Sequence, residues 1–133
     1  MRVGGINLAA VIGAAIAVYI VGFVIYGLLV PAETWMELSG LTEDQLNAVD
    51  RMPFSPVMPL MTAMFLAVLF RLGNVQDSST GMKWAAIVAL ASGIPTLLYG
   101  WVYGIGPLAM TAIDSGHILV GHIVAGGILG RWR

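Results

Sequence analysis

Four apolar stretches, separated by polar breaks, set the pattern of the chain. The first runs from Gly5 to Val30 without a charge, and at about 1.5 Å per residue a helix of that length exceeds an apolar bilayer core of about 30 Å. The second, Val57 to Leu72, follows Pro53, Pro56 and Pro59. Proline suits a first helical turn, where its missing N–H has no partner to lose, so this helix should start near Pro56. The third, Met82 to Tyr103, contains Pro95. That proline removes the bond to the carbonyl of Ala91 and predicts a kink, with Ser92 and Thr96 able to satisfy freed backbone. The fourth runs from Pro107 to Gly130. The pattern predicts an all-α membrane protein, one domain of four transmembrane helices.

The polar breaks differ in length. Pro31 to Ser55 is the long one and holds Glu33, Glu37, Glu43, Asp44 and Asp50. Pro31 to Leu38, closed by Ser39-Gly40, predicts a helical turn or two. Thr42-Glu43-Asp44-Gln45 reads as a capping box, with Leu41 and Leu46 as its hydrophobic staple, and predicts a short extracytoplasmic helix from Glu43 to Arg51. Gly73 to Gly81 is a polar turn. Gly104-Ile105-Gly106-Pro107 is tight enough to force the last two helices into an antiparallel hairpin.

Composition sharpens this reading. Of the 133 residues, 59% are hydrophobic and 10% charged, against about a quarter charged in soluble domains. The net charge of −1 gives no footprint for nucleic acid, and the absence of cysteine removes disulfides and thiolate metal sites. The opening apolar run is longer than the roughly 7–15 residues of a signal peptide's core, so it reads as a retained membrane helix. An even number of spans puts both ends with the second turn, a side carrying Arg2, Arg71, Lys83, Arg131 and Arg133; the other side has Arg51 alone. The excess of cations predicts cytoplasmic termini and an external acidic connection. Trp84 and Trp132 then fall at the inner boundary, with Trp35, Trp101 and Tyr103 at the outer.

The candidate chemistry sits in the fourth stretch. Asp114, His117 and His122 are ionisable positions inside an apolar helix, and burying such groups unpaired is costly. Asp114 and His117 are neighbours at i and i+3, suited to a hydrogen-bonded pair or a proton-relay step. The leading reading is a structural clamp, with Asp114 capping or bridging to the first helix and His117 donating to a backbone carbonyl across the helix interface; proton or ion handling is the alternative. Asn7 is too far away to partner Asp114. His117 and His122 are about 140° apart around the helix and cannot both bind one iron from one helix, so bis-histidine ligation would need two chains meeting there. No haem, zinc set, catalytic triad or phosphate loop follows, and the expectation is no cofactor, no metal and no catalytic residue. Met58, Met61 and Met64 are spaced for Cu(I), but gap-filling is the commoner use of methionine.

Small residues suggest how helices meet. Gly5, Ala9, Gly13 and Ala17 recur every four positions along the first helix, and Gly121, Gly126 and Gly130 punctuate the fourth. Both series suit close helix contact.

Several of these residues carry a resemblance. Asn7 with the alanine-rich helix after it, Tyr26-Gly27, Trp35-Met36 and Gly40-Leu41-Thr42-Glu43 form one half of the pattern. Ile113 to Val120 and Gly126-Gly127-Ile128-Leu129-Gly130-Arg131-Trp132 form the other. Together they resemble the small bacterial inner-membrane proteins of domain-of-unknown-function family seventeen-sixty-one, over nearly the whole chain. Members usually carry tryptophan before the Tyr-Gly pair, where this chain has Ile25. The resemblance implies four spans and marks Asp114 and His117 as motif positions, without giving them a role.

The leading expectation is a non-enzymatic membrane protein, a homo-oligomeric scaffold or an accessory subunit of a larger membrane assembly, surrounded by lipid. A small proton or ion transporter using Asp114 and His117 is the alternative. A binder of lipid, quinone or pigment between helices is the third.

Overall fold

The computed structural model describes residues 1–40, 42, 51–104 and 106–132. Four helical stretches are long and apolar enough to cross a membrane: Leu8–Leu29, Met52–Leu72, Ser78–Tyr103 and Leu108–Arg131. The shortest, of 21 residues, is about 32 Å long, enough for a bilayer core.

The chain begins with a small hairpin. Strands β1 (Arg2–Val3) and β2 (Ile6–Asn7) pair antiparallel, Arg2 opposite Asn7. Gly4 and Gly5 form the two-residue turn, with φ of 56° and 82°, the left-handed geometry that favours glycine in such loops. Gly5 therefore precedes the first helix instead of opening it, and the expected four-residue stripe loses its first member. Helix α1 spans Leu8–Phe23 and starts where the Asn7 side chain accepts from the Ala9 N–H. A π-helical stretch, Val24–Leu29, continues it. The face that α1 buries is Ala10, Val11, Ala14, Ala15 and Val18. Ala9 is exposed, while Gly13 and Ala17 are half-buried, so the packed face lies one residue round from the expected stripe.

Helix α2 (Ala32–Ser39) forms within the long connection and ends at Gly40, whose φ of 69° terminates it. The expected helix from Glu43 to Arg51 lies outside the described residues, apart from Arg51 itself. A 3-10 turn, Met52–Phe54, leads into α3 (Val57–Leu72), with Pro56 as its N-cap.

The third long helix begins earlier than Met82. Asp77 caps α4 (Ser78–Val88) by accepting from the Thr80 N–H. A π-helical turn at Ala89–Gly93 then passes into α5 (Ile94–Tyr103). Pro95 stands at the start of α5, so the break is absorbed by a wider turn just before it. Ser92 and Thr96 donate their hydroxyls to the carbonyls of Val88 and Ser92, not to that of Ala91.

Helix α6 (Leu108–Arg131) is central, touching α1, α3, α4 and α5. At the end of the bundle near the chain termini, small residues bring backbones together. A Cβ on Gly126 would collide with the Gly81 carbonyl and Ala85, and one on Gly130 with the backbone of Asp77 and Ser78. Ser78 fixes the crossing by donating to the Gly127 carbonyl at 2.9 Å. Gly121 faces Val18 of α1, whereas nothing lies near Gly116. Trp132 turns back over Gly13, and Trp84 covers Gly73. The buried cluster, Ala10 to Val18 with Ala63, Leu66, Phe70, Val75, Ala85, Ala125 and Leu129, lies mainly in this half.

Candidate functional site

Away from the termini the same helices separate. The C-terminal half of α1 with its continuation, the N-terminal half of α6 and the first turns of α3 enclose a cleft of about 740 Å³. Val18, Phe23, Met58, Pro59, Leu97 and Ile118 supply its apolar walls. Polar groups from three helices and from the turn before α3 line the same space: Tyr19 and Tyr26, Ser55 and Thr62, and Asp114, His117 and His122.

The tightest polar link crosses between the first and last helices. The Tyr26 hydroxyl donates to Asp114 Oδ1 at 2.5 Å, a contact spanning 88 positions in sequence. Tyr26 lies in the π-helical continuation of α1, where the wider turn resets the register that α1 would otherwise keep. The bond anchors Asp114 to α1. A phenol in an apolar helix needs such a partner, because leaving either group buried without one costs about 1–3 kcal/mol.

His117 meets Tyr26 through its ring, edge to face, with centroids 5.3 Å apart and planes at 83°. Its Nε2 approaches the backbone of Gly22, where an added Cβ would lie 3.2 Å away. Asp114 and His117 are thus both organised by α1, with Tyr26 touching each. His122 turns back on its own helix, and its Nδ1 lies 2.8 Å from the Ile118 carbonyl. A carbonyl only accepts, so Nδ1 carries the proton; in the neutral ring Nε2 keeps its lone pair. Across the mouth, the Tyr19 and Ser55 hydroxyls are 3.2 Å apart and join α1 to the approach of α3. Among the described residues, no three acid or imidazole side chains converge as metal ligands.

Asp114, His117 and His122 all line the cleft. Gly121 lies on its wall against Val18; Gly126 and Gly130 belong to the packed end. Sequence reasoning missed Tyr26 as the group joining Asp114 and His117, and Gly22 as the residue making room for the imidazole. Their spacing of four puts them on one face of the first helix, which was the available signal.

The family profile of DUF1761, described as a protein of unknown function, matches residues 9–130. The chain belongs to the DUF1761 family. Every residue lining the cleft falls inside the stretch matched by DUF1761, whereas the hairpin before Leu8 falls outside it. No curated protein and no solved structure is matched by the chain.

Proposed function

We propose that this DUF1761 protein is a multi-pass protein of the bacterial inner membrane that binds an amphiphilic molecule of the lipid or quinone type between its helices. The cleft carries this reading: apolar walls for a tail, with the Tyr26–Asp114 pair and two imidazoles for a polar head. Apolar pockets with a few convergent polar groups are the usual form of small-molecule sites. In a bilayer, such a cleft between helices selects ligands that partition into lipid. The cation excess at the end bearing Arg2, Arg71, Lys83 and Arg131 supports cytoplasmic termini, and the cleft then belongs to the outer half of the membrane.

Glycine-lined helices were one of the grounds for a scaffold role, beside the small size of the chain. Gly13, Gly121, Gly126 and Gly130 make contacts inside one chain, so they no longer argue for self-association. Proton handling is the second reading, favoured by the direct hydrogen bond between two titratable groups, Tyr26 and Asp114. Asp114→Asn separates the two. A carboxamide still accepts from Tyr26 but does not titrate, so a binder should retain its ligand and a proton carrier should lose flux.

The test is purification from native membranes in mild detergent, followed by intact-mass measurement and analysis of the solvent extract. Wild type should carry one amphiphile per chain, and a folded Thr62→Trp variant, which fills the cleft from its wall, should lose it. Wild type without such an adduct contradicts the reading.

A further inference from the structure

The end of the bundle opposite the cleft has a second cavity, of about 270 Å³, between the N-terminal hairpin and the ends of α3 and α6. Among the described residues, its polar lining is Arg2, Asn7, Arg71 and Asn74, and no acid lines it. Ala10, Ala67, Phe70 and Leu129 lie beneath them, and Trp132 stands beside them. We propose that this cavity binds the phosphate of an anionic phospholipid headgroup, with Arg71 as its principal cation.

Hydrogen-bond polarity points to an anion. Asn7 Oδ1 accepts from the Ala9 N–H, and Asn74 Oδ1 accepts from Gln76 Nε2 at 2.8 Å. The acceptor end of each carboxamide is thereby engaged within the chain, and the end that remains is its NH2 donor. Arginine offers donors only, in a planar fork that suits two phosphate oxygens. The cavity therefore presents donors to whatever enters it.

The hairpin shapes the cavity. The guanidinium of Arg71 lies over Gly4 and Gly5, and a Cβ on either residue would come within 3.1–3.3 Å of it. The double-glycine turn thus leaves a seat for this side chain. Asn74 sits in the turn after α3 at φ 49°, a conformation asparagine accepts more readily than most residues. Beneath the donors, the apolar floor suits the glycerol and first acyl carbons of a lipid better than a free phosphate. A basic pocket between helices beside a tryptophan matches the headgroup level of a membrane.

The experiment is native mass spectrometry of the full chain in mild detergent, titrated with phosphatidylglycerol, phosphatidylcholine and inorganic phosphate. Wild type should prefer phosphatidylglycerol over phosphatidylcholine. Arg71→Gln should lower phosphatidylglycerol binding about five- to tenfold, and Arg71→Lys should recover part of it. Asn74→Gly keeps a backbone suited to positive φ and removes one donor, so it should weaken binding by a smaller factor and serves as the test if Arg71→Gln misfolds. Arg51→Gln, at the other end of the bundle, should match wild type. Inorganic phosphate should not displace the lipid at millimolar concentration; displacement would assign the site to free phosphate and overturn the lipid assignment. Equal binding of the two lipids by wild type, or phosphatidylglycerol binding unaffected in both Arg71→Gln and Asn74→Gly, would overturn the proposal.

Discussion

The two ends of α6 meet their neighbours with opposite side-chain sizes and reach opposite results. Toward the termini, Gly81, Ala85, Gly126 and Gly130 let α4 and α6 meet backbone to backbone, while Ala10 and Ala14 are buried on α1. Toward the other end stand Tyr19, Tyr26, His117 and His122, and the space between α1, α3 and α6 widens into the cleft. Close approach in apolar surroundings relies on small residues and dispersion contacts. Large polar side chains keep helices apart and hold them through a few directed bonds. The packed end supplies the rigidity on which the open end can keep a fixed shape.

The most damaging change should be at the packed end. Gly126→Leu directs a side chain at the Gly81 carbonyl and Ala85, with no flexible neighbour to yield. A loss of about 3 kcal/mol is expected, seen as a large drop in thermal midpoint in detergent. A wild-type midpoint would show that α4 and α6 are not in backbone contact.

At the open end the directed bond matters more than volume. Asp114→Leu leaves the Tyr26 hydroxyl without its acceptor and should cost about 1–3 kcal/mol. Asp114→Asn should be milder, and Tyr26→Phe should remove the same interaction from the other side. A double-mutant cycle over Tyr26→Phe and Asp114→Leu should therefore be non-additive. Simple additivity would mean that the two groups act independently.

Glycines within the same region should respond differently. Gly116 has open space around its Cβ position, so Gly116→Ala should stabilise the chain by up to about 1 kcal/mol through helix propensity. Gly22→Ala meets His117 Nε2 at 3.2 Å and should forfeit that gain by displacing the imidazole. Equal effects on the thermal midpoint would remove the argument that Gly22 seats His117.

The smallest effect is electrostatic and lies outside the apolar helices. The Thr80 backbone N–H, first among its causes, holds the Asp77 carboxyl below the usual carboxylate range. A carboxyl depressed in the folded state stabilises above its unfolded pKa, and that contribution fades as pH falls through the lower folded value. Wild type should therefore converge on Asp77→Asn in thermal midpoint as the buffer is acidified below about pH 4. A difference between them that stays constant down to the acid limit would contradict the cap.

The architecture was largely legible because long apolar runs and proline and glycine punctuation are local signals. The start of α3 after Pro56 and the end of α2 at Gly40 follow from that punctuation. The hairpin was not legible, since Gly4-Gly5 merges into an apolar run and only pairing of Arg2 with Asn7 reveals the turn. Asp114 and His117 were visible as ionisable residues in an apolar helix. Their shared partner was not, because Tyr26 is distant in sequence; a bridge from Asp114 to the first helix was expected without the residue at its other end. The glycines of α6 were recognised as contact sites, but the side each faces depends on which helix crosses there.

Adjacent residues on α3 offer the most direct test of the contrast between open and packed space. Thr62 lines the cleft, and Ala63 is fully buried. The chain contains no cysteine, so single-cysteine variants Thr62→Cys and Ala63→Cys report on one position each. Both would be reacted in mild detergent with a small membrane-permeant maleimide, after checking that each is folded. Labelling should be rapid at position 62 and slowed when the amphiphile extracted from the wild-type protein is added back, while position 63 should be protected. Equal labelling rates at the two positions would contradict this contrast.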